Sequence, residues 1–176
     1  MRHKERGQIY LYMGNGDGKT LAALGLALRT IGHGRRAVVV QFMKGRRCIG
    51  EYRVRKRLAP NYEIHQFGRE EFIDLKNPAP EDLKLAEKGI KFVREVVRTK
   101  PDLLILDEIN LALSVGLVRL DDLLEILKET PEETTIVLTG RDPPQKLLEL
   151  ADLVSEVSEV RHPFSEGVPA KEGLQY

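Results

Sequence analysis

Residues 14 to 20 read Gly14-Asn15-Gly16-Asp17-Gly18-Lys19-Thr20, a combination suited to holding a polyphosphate. Glycines let successive backbone N–H groups converge on anionic oxygens. A helix opening at the end of the run adds the positive end of its dipole, Lys19 supplies a movable cation, and Thr20 offers a hydroxyl to a magnesium ion. The first glycine stands one residue later than in the usual phosphate loop, where position 13 would be glycine instead of Met13. Asp17 is a second irregularity, because a carboxylate beside phosphate is repulsive unless it turns to solvent or meets a cation. The plainer alternative is a glycine-rich turn without a ligand.

A second signal is Asp107-Glu108, directly after the apolar run Leu103-Leu104-Ile105-Leu106. Carboxylates at the end of a buried strand reach the magnesium of phosphate-loop proteins; alone, an acid there is often only loop solvation. From Lys44 to Arg57, seven basic residues stand against Glu51. Such a run reads either as solvated surface or as contacts to triphosphate or to a phosphate-bearing second substrate. No aromatic residues interleave with it in the manner of a nucleic-acid surface, so nucleic acid is not an expected partner. His3, His33, His65 and His162 have no ligand spacing between them, and Cys48 reads as an ordinary thiol.

The elements that must position these groups follow from periodicity. Residues 8–13 are rich in β-formers, and the Leu/Ala-rich stretch 19–31 reads as a helix buried on more than one side, stopped by Gly32 and Gly34. Residues 37–42 and 103–106 are continuous apolar runs of the type found in parallel strands covered on both faces. Further strands are expected at 62–67 and 135–139, with an extended segment at 153–160. Pro80, Glu81 and Asp82 open a helix in the preferred way, and Leu83, Ala86, Ile90, Val93 and Val97 give it one apolar face. Short helices are expected on either side of Gly116, the second over 120–128, and again at 144–151. Strand–helix alternation throughout gives an α/β fold with a mainly parallel sheet flanked by helices, and the 14–20 run between the first strand and first helix makes the expected fold P-loop NTPase-like, in three layers. One nucleotide-binding domain spans 1–176, with 1–6 as a flexible tail.

Composition narrows the class. The chain has 176 residues, 41% hydrophobic and 31% charged, with net charge +1 from 28 basic and 27 acidic residues. That excludes a disordered chain and a global field drawing it to polyanions. No run approaches the roughly 20 apolar residues of a membrane helix, and the start lacks a secretory pattern. A cytoplasmic protein without a membrane partner is expected.

The segments Met-Gly-Asn-Gly-Asp-Gly-Lys-Thr at 13–20, Gln-Phe-Met-Lys-Gly at 41–45, Leu-Asp-Glu at 106–108, Leu-Thr-Gly-Arg at 138–141 and Arg-His-Pro-Phe at 161–164 together resemble the P-loop type of ATP:corrinoid adenosyltransferase. The resemblance runs from about Gly7 to Tyr176, and the late first glycine is part of that family's pattern. Two departures stand out: Asp17 where the family usually has lysine, and Leu21 where it has a second threonine.

The resemblance implies transfer of the 5′-deoxyadenosyl group of ATP to the reduced cobalt of a corrinoid, with triphosphate leaving. It places phosphates against Gly14, Asn15, Gly16, Asp17, Gly18, Lys19 and Thr20, with ATP reversed relative to most P-loop enzymes. Thr20, Asp107 and Glu108 would surround magnesium, and Asn15 and Arg141 would add secondary contacts. Because cob(I)alamin is itself a strong nucleophile, no general base is needed, and Lys19 acts on the leaving group. In the segment Phe67-Gly68-Arg69-Glu70-Glu71-Phe72, Phe72 is the aromatic expected to press on the corrinoid and drive off its lower ligand, with Phe67 a core anchor. A flavoprotein reductant and a homodimer are further partners to consider. An ATPase or kinase acting on the γ-phosphate, and a non-catalytic nucleotide or corrinoid-binding module, remain the alternatives.

Overall fold

The apolar runs become the centre of a six-stranded sheet. In a computed structural model that describes residues 6–163 and 167–174, the strands are β1 (Ile9–Met13), β2 (Ala37–Phe42), β3 (Tyr62–Phe67), β4 (Leu103–Asp107), β5 (Thr135–Thr139) and β6 (Leu153–Glu156). They lie in the order β3-β2-β4-β5-β1-β6, and every pairing is parallel. All six residues of β2 and all five of β4 are buried, as strands covered on both faces require. Each fully buried Val, Leu or Ile there contributes roughly 1.5–3 kcal/mol relative to exposure.

Helices cover both faces. On one side lies α1 (Lys19–Gly32), whose Ala23 and Ala27 pack with Val39, Ile105 and Val137. On the other, α4 (Pro80–Arg98), α5 (Ile109–Ser114), α6 (Leu120–Glu129) and α7 (Gln145–Leu150) close over Val38, Val40, Leu104, Leu106 and Leu138. The basic run forms two short helices, α2 (Gly50–Arg53) and α3 (Arg55–Leu58). The layers and the parallel sheet match the expected P-loop-like architecture.

Three expectations need correction. Helix α1 is buried on one side only: alanines make its sheet contact, while Leu21 is 62% and Leu28 64% exposed. Leu24 and Leu26 flank the alanines, half-buried against the same core, while Leu21 and Leu28 serve as helix formers on the open face. Leu83 is exposed instead of facing the sheet, because the inward position of the first turn of α4 is held by Asp82, 2% exposed. That carboxylate accepts bonds from Arg69 Nε at 2.8 Å and from the Ala79 N–H at 2.9 Å, so the charge is paired rather than stranded. The last extended segment is regular strand only over Leu153–Glu156; Val157 adds one further bond, its N–H donating to the Met13 carbonyl at 2.9 Å, and Val160 is 97% exposed.

Residues 1–5 of the expected tail lie outside the described residues. Arg6 bonds the Leu150 carbonyl at 2.8 Å and Asp152 at 2.9 Å.

Candidate functional site

The carboxyl ends of β1, β5, β4 and β2 meet at one edge of the sheet, the edge where open α/β folds bind ligands. Chain reversal after β1 uses Gly14 at φ 104° and Gly18 at φ 112°, a region side chains disfavour. Contact also demands glycine: a Cβ on Gly14 would lie 2.4 Å from the Val157 carbonyl oxygen. The loop thus rests on the chain that follows β6, with the Gly16 N–H donating to the Val157 oxygen at 2.9 Å. Asn15 contributes to the same seat, its Oδ1 accepting from the Glu159 N–H at 3.3 Å.

Helix α1 opens at Gly18 with no acidic residue in its first turn, which leaves its positive end uncompensated by the chain. Lys19 is buried, and its ammonium donates to the Gly16 carbonyl at 2.6 Å. Burial lowers its pKa, with Arg141 acting in the same sense and Glu108 in the opposite one. Thr20 points toward β4, its hydroxyl donating to Asp107 Oδ1 at 2.8 Å.

Asp107 is the hub. It is fully buried, and four donors fill its acceptor positions. Thr20 and Thr139 bond Oδ1, the latter at 2.7 Å; Gln41 Nε2 at 3.0 Å and Lys44 Nζ at 2.7 Å bond Oδ2. Burial pushes its carboxyl up, but the charge and hydrogen bond of Lys44, with the hydroxyls of Thr139 and Thr20, hold it below the usual carboxylate range. Reciprocally, burial would lower the Lys44 ammonium, yet Asp107, Glu108 and Glu51 raise it.

Glu108 follows in the left-handed region at φ 61°, its N–H donating to Thr139 Oγ1 at 2.9 Å. Burial and the neighbouring Asp107 raise its carboxyl, against the pull of Lys44, Lys19 and Arg141. Arg141 itself is exposed.

A cavity of about 600 Å³ opens over this constellation, lined by Asp17, Thr20, Lys44, Glu51, Glu108 and His162 among others. Asp17 meets a partner there, His162 Nε2 at 2.8 Å. A second cavity of about 290 Å³ adjoins it, sharing Lys44 and Glu51 and reaching Phe72. Phe72 is 86% exposed, and the Arg46 guanidinium lies 4.5 Å from its ring centroid. Phe67 by contrast packs against the core, its ring 5.4 Å from that of Phe92.

Gly14 to Thr20, Asp107 and Glu108 therefore come together as the sequence suggests, with Arg141 at the margin and Phe72 at a neighbouring cavity. Sequence reasoning did not single out Gln41, Lys44, Thr139 and His162 as individual site residues. Gln41 and Thr139 carried a usable signal, a polar residue at or next to the carboxyl end of a mostly apolar strand.

Similarity to known proteins agrees with this geometry. Residues 5–176 match the family described as ATP:corrinoid adenosyltransferase BtuR/CobO/CobP. The chain is 36% identical over 173 residues to the corrinoid adenosyltransferase of Escherichia coli K12, covering 98% of this chain and 87% of that one. It is 35% identical over 174 residues to the enzyme of the same name from Pseudomonas aeruginosa, covering 98% and 85%. Among solved structures, a KaiC-like protein from Pyrococcus horikoshii aligns with a TM-score of 0.55 at 17% identity, over 89% of this chain and 75% of the other, a likeness of fold alone. A family match across nearly the entire length, on a sheet edge that gathers its motifs into one site, leaves a single conclusion: the chain belongs to the ATP:corrinoid adenosyltransferase family.

Proposed function

We propose that the chain transfers the 5′-deoxyadenosyl group of ATP to the reduced cobalt of a corrinoid. The cobalt(I) electron pair forms the Co–C5′ bond, the C5′–O5′ bond breaks, and triphosphate leaves with that bonding pair. One observation carries the reading: the cavity at the phosphate loop and the cavity at Phe72 share a wall, Lys44 and Glu51, so two substrates can meet there. The protein's part in such a reaction is alignment and stabilisation of the leaving group.

In this reading the amides of residues 14 to 18 and the Lys19 ammonium hold the phosphates, and Arg141 adds charge from the rim. The donor set fits a magnesium ion: the Thr20 hydroxyl and the Glu108 carboxylate both line the cavity. Among the described residues no three His, Cys, Asp or Glu side chains form a metal cage, so water and phosphate would complete the shell, as magnesium favours. When bound, that ion supplies charge neutralisation to the leaving triphosphate. Asp107 has its acceptor positions filled by Thr20, Thr139, Gln41 and Lys44, and its role is to orient the Thr20 hydroxyl from behind. Phe72 faces the corrinoid.

A flavoprotein supplying electrons to cobalt, a homodimer and a cytoplasmic setting belong to the same reading; among the described residues no helix is long and apolar enough to cross a membrane. The test mixes chemically reduced corrinoid with ATP and magnesium. A cobalt–carbon absorption spectrum with release of triphosphate supports the proposal, and orthophosphate with no such spectrum refutes it in favour of γ-phosphate chemistry.

A further inference from the structure

The ammonium of Lys44 sits where two of the groups expected around the metal converge. It donates to Asp107 Oδ2 at 2.7 Å and to Thr20 Oγ1 at 3.3 Å. A divalent ion approaching these oxygens meets a positive charge already bonded to them.

The backbone fixes Lys44 in this position. Met43, the residue before it, is held in the left-handed region at φ 59°, an outlier for an unbranched apolar residue that the surroundings must enforce. Its N–H donates to the Phe67 carbonyl at 3.1 Å. The loop after β2 is then pressed onto the loop after β3 with no room for side chains. A Cβ on Gly68 would lie 2.3 Å from the Lys44 nitrogen, and one on Gly45 would lie 2.4 Å from the Gly68 oxygen. On the acceptor side, Gln66 donates to Gln41 at 2.9 Å and Gln41 to Asp107 Oδ2 at 3.0 Å. This chain from β3 through β2 to β4 occupies one acceptor direction of that oxygen, while Lys44 takes the other. Both ends of the ion pair are thus set by the sheet.

We propose that Lys44 is an internal counter-cation that keeps free divalent metal from the Thr20–Glu108 site and admits it only together with a polyphosphate. A bare ion must separate Lys44 from a buried carboxylate and then lie beside its ammonium, with no anion added to offset either cost. A metal–polyphosphate complex brings oxygens that take up the ammonium as it leaves Asp107, and the flexible four-carbon stem permits the turn. Metal and nucleotide then enter as one unit, and Lys44 ends on the leaving triphosphate. The inference rests on the assignment of phosphate to the 14–20 loop.

The experiment is a manganese titration by equilibrium dialysis, in which bound metal is the excess on the protein side over the protein-free side. It compares wild-type protein with Lys44→Met, which keeps the stem and loses the charge, each with and without inorganic tripolyphosphate. Without tripolyphosphate, Lys44→Met should bind Mn²⁺ at least about tenfold tighter than wild type, since Glu108 at the cavity and the Asp107 charge behind Thr20 then act on the ion with one cation fewer. With tripolyphosphate the order should reverse, the variant holding the metal complex more weakly. Equal or weaker manganese binding by the variant without tripolyphosphate overturns the proposal while leaving the function intact. Failure of wild type to bind the manganese–tripolyphosphate complex overturns the phosphate assignment and this inference with it. Lys44→Gln, which keeps a donor for Asp107, is judged by the same comparison should the methionine variant not fold.

Discussion

Thr139 offers the sharpest test of how the site is held, because one hydroxyl serves two partners. It donates to Asp107 Oδ1 at 2.7 Å and accepts from the Glu108 N–H at 2.9 Å, and the residue is fully buried. Thr139→Val keeps the shape and removes both bonds. A hydrogen bond to a charged group is worth about 1.5–3 kcal/mol, and a backbone donor left unpaired costs about 1–3 kcal/mol. Their sum runs from about 2.5 to 6 kcal/mol, and the lower half applies, because the half-buried Glu108 backbone lies beside a cavity that admits water. The expected loss is therefore about 3 kcal/mol, a large share of the roughly 5–15 kcal/mol that holds a domain together. In a chain of this size that corresponds to a fall in Tm of about 6–12 °C. Urea titration at neutral pH measures it, and Thr139→Ser, which keeps the hydroxyl, should recover most of the loss. A Thr139→Val protein within about 0.5 kcal/mol of wild type would refute the claim that this hydroxyl holds Asp107 and the turn at Glu108.

The same hydroxyl shows where sequence reading stops. Strands β2 and β4 were legible because burial on both faces writes itself as an apolar run, and the loop at 14–20 because its chemistry needs glycines close in sequence. The bonds that assemble the site join residues 20, 41, 44, 107 and 139, which meet only when parallel strands are laid in a particular order. Periodicity does not encode that order. Lys44 shows the difficulty best. In sequence it is one cation of seven, yet Arg47 and Arg57 from the same run are exposed to solvent while its ammonium bonds a buried carboxylate. The partner of Asp17 was hidden for the same reason, since His162 stands far along the chain and reaches the loop only because the segment after β6 folds back beneath it. Helix α1 misled in the opposite direction. All its leucines read as core, but the close contact with the sheet is made by Ala23 and Ala27, only Leu24 and Leu26 pack beside them, and Leu21 and Leu28 stay exposed.

Three further outcomes follow from the site. Against burial, the charge and hydrogen bond of Lys44, with the Thr139 and Thr20 hydroxyls, hold the Asp107 carboxyl below the usual carboxylate range; a depressed folded pKa contributes stability that is present above the unfolded value and lost as pH falls through the folded one. Acid titration of stability should therefore show a loss as pH falls below the ordinary carboxylate range, and that loss should be smaller in Asp107→Asn. Asp17→Lys should tighten ATP binding by calorimetry, with a gain that shrinks at high salt, because it replaces a carboxylate at the cavity with a cation; weaker binding would show that the pair with His162 has a positive role in holding nucleotide. Phe72 carries the last. Its ring is 86% exposed and is covered on one side by the Arg46 guanidinium, which also donates to the Glu70 carbonyl at 3.0 Å, so an aromatic face is held at the second cavity without the support of a core. Phe72→Ala should cost well under the roughly 3–5 kcal/mol of a buried phenylalanine and leave ATP affinity unchanged. It should lower adenosylation most when cobalt must be reduced by a weak donor, and less when cob(I)alamin is supplied ready-made. Equal losses in both regimes, or a stability loss of core size, would assign the ring to packing and remove it from the reaction.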